Sequence, residues 1–128
     1  MPIRWGDMDA MGHVNNTVYF RYMEQARIEW IESLGFPTGQ AQDESPVIIN
    51  ASCTFLVALT YPGTVEVRMY AGPAGRSSLP THYEMRLLGS ERLCAEGAAK
   101  LVWTKPSSGK SIPLPEAMRK LAATGSPA

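Results

Sequence analysis

Residues 19–35, Tyr19-Phe20-Arg21-Tyr22-Met23-Glu24-Gln25-Ala26-Arg27-Ile28-Glu29-Trp30-Ile31-Glu32-Ser33-Leu34-Gly35, decide the fold. Tyr19, Tyr22, Met23, Ala26, Trp30 and Leu34 recur at helical spacing and so share one side. Arg21, Glu24, Gln25, Glu29 and Glu32 fill much of the opposite side. Upstream, Asn15 or Asn16 supplies a side-chain acceptor for the free N–H groups of a first turn. Downstream, Gly35 followed by Pro37 stops the last turn. The pattern predicts a helix of about five turns with one dry stripe.

After a polar, flexible link from Thr38 to Ser45 the period changes to two. In 47–59 the odd positions Val47, Ile49, Ala51, Cys53, Phe55, Val57 and Leu59 are all apolar, with Asn50, Ser52 and Thr54 between them. Runs 65–69, 79–87 and 93–103 alternate in the same way, and Pro62-Gly63, Gly72 to Gly75 and Gly89-Ser90 punctuate the joins. These read as consecutive strands joined by short turns, an antiparallel meander with one dry face. Pro80 lacks an N–H, so it marks an edge, a bulge or a late start. Ahead of the helix, Ile3 and Trp5 alternate with Arg4 as a strand end would, and because Met1 is an abrupt beginning for such a strand, missing residues or a misplaced start site are expected. The helix must bury its stripe, and the dry sheet face is the partner available. The fold class is therefore α+β: an antiparallel sheet of about five strands wrapped around one long central helix. Residues 1–123 are expected to form a single domain. The tail after Lys105 is rich in Pro, Ser and Gly, with a short helix around Glu116 to Leu121 and a disordered end over 124–128.

Composition narrows the function classes. Twelve basic residues balance twelve acidic ones, so nothing in the charge points to nucleic acid or an anionic membrane surface. No apolar run reaches the ~20 residues of a spanning helix, and the start lacks a secretory layout, so no integral membrane association is expected. Cys53 and Cys94 have neither metal-site nor CxxC spacing and read as buried, inert thiols; a reducing cytoplasm is the expected location.

The chemistry concentrates in Asp7-Met8-Asp9-Ala10-Met11-Gly12-His13-Val14-Asn15-Asn16-Thr17-Val18-Tyr19-Phe20, just ahead of the helix. A helix N-terminus carries unpaired N–H groups and partial positive charge, which stabilise negative charge growing on a carbonyl oxygen. If Asn15 is the cap, the Asn16 amide is one such donor. A carboxylate at Asp9 can then attack the carbonyl carbon or deprotonate a water. Asp7 reads as structural, pairing with Arg4 or capping a turn. A metal at Asp7, Asp9 and His13 lacks a further donor, so neither metal nor other cofactor is expected.

The string from Arg4 to Arg27, with Gly63-Thr64-Val65-Glu66-Val67, Gly75-Arg76-Ser77-Ser78 and Val102-Trp103-Thr104, resembles the signature of the 4-hydroxybenzoyl-CoA thioesterase-like family over essentially the whole chain. The resemblance implies a hotdog fold, an acyl-CoA substrate, a working unit that is a homodimer or homotetramer, and active sites between subunits. It places the catalytic carboxylate on Asp9 and the amide that polarises the thioester carbonyl on Asn16. The sequence departs from the common Asp-dependent members at His13, where an apolar residue is usual. The order Asp-(three residues)-His-Val-Asn-Asn resembles plant acyl-ACP thioesterases instead, and His13 is ranked as a helper or binding residue. Asn15 joins it near substrate. Arg76, Ser77 and Ser78 form a basic, hydroxyl-rich turn suited to CoA phosphates. Glu24 is a reserve catalyst, since some hotdog enzymes use a helix glutamate; by default Glu24 and Arg27 are a solvated or subunit-pairing ion pair. Tyr19, Tyr22, Trp30 and Phe55 are expected in the core. Two alternatives stand beside thioester hydrolysis: a hotdog dehydratase or isomerase anchored on His13, and a non-catalytic acyl-CoA binder.

Overall fold

A computed structural model describes residues 1–36 and 43–124. A short 3-10 turn over Trp5–Asp7 leads to α1, Asn16–Ser33, then strands β1 (Ser45–Phe55), β2 (Val65–Ala71), β3 (Ser78–Leu87), β4 (Leu93–Lys105) and β5 (Lys110–Ser111), and finally α2, Glu116–Thr124. Asn15 caps α1, its side-chain oxygen accepting from Thr17 N. Tyr19, Tyr22, Met23 and Trp30 of the expected stripe are buried, joined by Ile31, while Ala26 and Leu34 are half-buried. The Met23 side chain of α1 lies on Gly97 of β4, where an added Cβ would overlap Met23 Sδ. A larger residue there would have to displace the end of that flexible side chain.

The sheet is antiparallel in the order β1-β4-β3-β2, with β5 on β4. This corrects the expected meander. β2, β3 and β4 do follow one another as hairpin neighbours, but β1 lies beyond β4 at the edge. The segment between β1 and β2 crosses the helix mouth to reach the far side, and there Val14 N donates to Leu59 O at 2.8 Å. β1 ends at Phe55, and Leu59, though fully buried, belongs to this crossing segment. The alternation of β1 does not give it a dry face in one chain. Val47 is 46% exposed, Ile49 57% and Phe55 45%, because an edge strand has one neighbour and the helix overhangs only part of it.

The fifth strand is also not the one expected. Residues 1–3 make a single bridge, Pro2 to Thr64, with Ile3 N donating to Gly63 O and Val65 N to Met1 O, before the 3-10 turn takes over. Lys110–Ser111 supplies the fifth strand instead. Pro80 sits where β3 has only β4 beside it: β2 pairing stops at Ala71 with Thr81, and Gly72 N donates to the Pro80 carbonyl. The C-terminal helix runs through Thr124, three residues past the expected Leu121. The rest of the expected tail, 125–128, and most of the link after Thr38 lie outside the described residues.

Arg27 reverses its expected setting. It is 9% exposed and its Nη1 donates to the Tyr83 hydroxyl at 3.1 Å. Thr81 Oγ1 lies 2.7 Å from that hydroxyl and donates to Ala99 O at 2.8 Å, so the hydrogen bonds run in one direction, from Arg27 through Tyr83 and Thr81 to the β4 carbonyl. Glu24 pairs instead with Arg21 at 3.1 Å on the exposed side of α1. Cys94 is buried, but Cys53 on β1 is only half-buried, and burial pushes its thiol up from the ordinary value.

Candidate active site

The loop from Asp7 to Asn15 is a hairpin folded on itself. Met8 and Val14 form a bridge, Asp9 N donates to His13 O at 2.9 Å, and Gly12 N donates to Asp9 O at 3.0 Å. Gly12 turns the chain at φ +81°, a conformation that side-chain-bearing residues adopt only at a cost. The Asp9 carboxylate is held at both oxygens: Oδ1 accepts from Met11 N at 2.9 Å, and Oδ2 accepts from Asn15 Nδ2 at 3.4 Å. The second contact is long for an N–H···O bond and correspondingly weak.

Asn15 therefore does two things. Its Oδ1 accepts from Thr17 N at 2.9 Å and from Thr17 Oγ1 at 2.7 Å, closing the helix start, while its Nδ2 reaches back to Asp9. With the cap on Thr17, nothing among the described residues accepts from the Asn16 amide, which stands at the positive end of an 18-residue helix.

Asp9, His13 and Asn16 line an open cleft of about 370 Å³ together with Val14, Tyr19 and residues 55–58. The Tyr19 ring meets Phe55 edge-on, centroids 4.8 Å apart at 83°, and its hydroxyl accepts from Leu59 N at 3.4 Å. Burial raises the Tyr19 phenol above its ordinary range, so it stays protonated. The wall is thus hydrocarbon, and the polar groups gather at the loop and helix mouth. Phe55 was expected in the core; its 45% exposure and place in the cleft are what the sequence missed, since period two says which face a side chain shares and not what covers that face.

The other expected site residues fall elsewhere. Asp7 faces a separate groove, its Oδ2 accepting from Arg4 N at 2.8 Å and from the Tyr22 hydroxyl at 3.2 Å. Asn15 supports Asp9 and the helix without lining the cleft. Arg76, Ser77 and Ser78 stand at the other end of the sheet: Ser78 pairs with Val102 and Phe55 with Ala95, and that length of β4 spans ~23 Å at the usual strand rise. There the Arg76 carbonyl accepts from Leu114 N and from Arg119 Nη2 of α2. Among the described residues no group of three metal-ligating side chains comes together.

Comparison with known proteins gives the family. The thioesterase-like superfamily profile matches residues 3–121. The PA2801 protein of Pseudomonas aeruginosa is 41% identical, with a TM-score of 0.89 over 94% of this chain and 92% of its own. The structure of BH1999, a gentisyl-coenzyme A thioesterase, is 26% identical, with a TM-score of 0.83 over 96% of this chain and 97% of its own. YsmA of Bacillus subtilis, an uncharacterized protein, is 28% identical over 88% of this chain and 75% of its own length. The hotdog architecture, with its sheet on one long helix, is common to this chain and these solved structures. The protein belongs to the thioesterase-like superfamily and is a thioester hydrolase.

Proposed function

We propose that the chain hydrolyses an acyl-CoA to the free acid and CoA, with Asp9 as the catalytic carboxylate and the Asn16 amide as the oxyanion donor. One observation carries the reading: a carboxylate and an unpaired helix-start N–H line one cleft. The thioester oxygen accepts from Asn16 N, and the helix dipole adds to the stabilisation of charge on that oxygen. Asp9 either attacks the carbonyl carbon, expelling CoA thiolate and leaving an acyl anhydride for water to cleave, or takes a proton from a water that attacks in its place. The bonds from Met11 N and Asn15 Nδ2 aim the carboxylate in either route. His13, exposed at the cleft rim, contacts the substrate as a helper. A dehydratase would instead want a histidine–carboxylate pair across the subunit interface, with His13 as its only anchor in this chain, and double-bond formation from a 3-hydroxyacyl-CoA would separate it from hydrolysis.

The working unit is proposed to be a dimer joined along β1. That edge carries unpaired backbone groups and the exposed Val47, Ile49, Phe55 and Leu56, a combination that a second strand would cover. Two-fold pairing of β1 with its copy is antiparallel, so it brings the Ser45 end of one chain to the Phe55 end of the other. The partner's Arg76–Ser78 turn then lies three strand spacings, ~14 Å, from Phe55 across the sheet, where a CoA phosphate leaving the cleft would meet it. No helix among the described residues is long and apolar enough to cross a membrane, and a cytoplasmic enzyme is the reading adopted.

The test is free-thiol release from a panel of acyl-CoA substrates by the parent and by Asp9→Asn. Loss of release by a folded variant supports the assignment. Release near the parent rate refutes it, and saturable CoA binding without turnover by the parent makes the protein a binder.

A further inference from the structure

The Tyr22 ring sits in the core stripe of α1, 6% exposed, but its hydroxyl does not serve the core. It donates to Asp7 Oδ2 at 3.2 Å, the same oxygen that accepts from Arg4 N at 2.8 Å. The Asp7 carbonyl in turn accepts from Asn15 N at 2.9 Å, and the Asn15 side chain donates to Asp9 Oδ2. A continuous run of bonds thus links a side chain in the second turn of the helix to the carboxylate at its mouth. The run passes through both ends of the hairpin that carries Asp9. Two further backbone bonds tie the far arm of that hairpin to the body of the fold, Val14 N to Leu59 O and Val18 N to Asn15 O.

We infer that Tyr22 and Asp7 are a positioning pair that fixes where the Asp9 loop stands relative to the start of α1. The inference rests on the reading of Asp9 as catalyst. It gives a role to the first carboxylate of the Asp7–Asp9 pair that is neither catalytic nor a simple turn cap. Asp7 faces its own groove and keeps one oxygen engaged by two donors, so it does not reach the thioester. Tyr22 suits the task because its rigid ring is wedged edge-on against Tyr19, centroids 6.2 Å apart, which leaves the hydroxyl little freedom. Burial and the neighbouring Asp7 charge raise its phenol well above the ordinary value, so the group remains a donor throughout the neutral range. The spacing matters because the Asn16 amide moves with the helix while Asp9 moves with the hairpin. A displacement of about 1 Å between two such groups costs up to ~100-fold in rate.

The experiment is steady-state kinetics of acyl-CoA hydrolysis, with melting temperatures measured alongside, on Tyr22→Phe, Asp7→Asn, Asp7→Ala and the double variant Tyr22→Phe/Asp7→Ala. Tyr22→Phe keeps the ring and loses only the donor. It is expected to lower kcat about 10-fold with KM within about twofold of the parent. Asp7→Asn keeps an acceptor oxygen for Arg4 N and Tyr22, so it should retain kcat within about threefold, while Asp7→Ala falls about 10-fold or more. The double variant should be no slower than Asp7→Ala alone, because Asp7→Ala already breaks the bond that Tyr22→Phe removes. Parent-like kcat in Tyr22→Phe, with or without a lower melting temperature, overturns the pair and leaves it a structural contact. So does a double variant whose losses multiply. If Asp9→Asn also retains activity, the reading of Asp9 has failed; if Asp9→Asn is inactive and Tyr22→Phe is not impaired, only the positioning pair has.

Discussion

Asn15 joins helix stability and catalysis in one side chain, and two substitutions pull those roles apart. Its Oδ1 receives Thr17 N and Thr17 Oγ1, and its Nδ2 donates to Asp9 Oδ2. Asn15→Ala removes all three bonds. Loss of an N-cap costs about 1 kcal/mol, which for a chain this size lowers the melting temperature by roughly 3 °C. Asn15→Ser keeps a cap of equal quality but is too short to reach Asp9, so its melting temperature should stay within about 1 °C of the parent. Both variants lose the donor to Asp9. Because that contact is long at 3.4 Å, its net worth is at the weak end, about 1 kcal/mol, or roughly fivefold in kcat. Thermal melts and free-thiol assays on the same preparations make the comparison. A serine variant with full kcat would refute the support of Asp9 by Asn15, and an alanine variant with unchanged melting would refute the cap.

Other outcomes follow from the fold. Gly97→Ala pushes a methyl against the end of the Met23 side chain, which can swing aside, so it should destabilise by only about 1 kcal/mol, read by urea unfolding; a loss above about 3 kcal/mol would mean that Met23 is held fast there. Ile49→Lys places a charge on the exposed β1 edge and should shift the protein to monomer in light scattering, with loss of turnover; an unchanged assembly would refute the β1 interface. The Arg86 and Tyr70 hydrogen bonds hold Glu84 below the ordinary glutamate value. A depressed carboxylate contributes stability that is present above its unfolded value and lost as pH falls through the folded one. Glu84→Gln should therefore flatten the acid side of the melting temperature against pH, and an acid limb identical to the parent's would contradict this.

The sequence carried α1 almost whole, because its stripe, its Asn cap and its Gly35 stop are all local signals, each set by residues within a few turns. The Asp9–Asn16 juxtaposition was legible for the same reason: a hairpin and a helix start adjacent in the chain stay adjacent in space. What failed was set by distant residues. Arg27 reads as a surface cation until Tyr83 and Thr81, more than fifty positions away, supply the acceptors that bury it. β1 has the alternation of a core strand, yet alternation does not say which neighbour lies beside it, and it fell to the edge. The place of Arg76 far from its own chain's cleft follows from the same β1–β4 register and could not be read before that register was known.

The central claim is the convergence of the Asp9 carboxylate and the Asn16 amide on one thioester carbon. A crystal structure with a non-hydrolysable acyl-CoA analogue measures it directly. The account predicts the carbonyl oxygen ~3 Å from Asn16 N, with an Asp9 oxygen, or a water bonded to it, facing the carbonyl carbon. An analogue seated with its carbonyl away from the start of α1, or with Asp9 turned from it, would contradict the account.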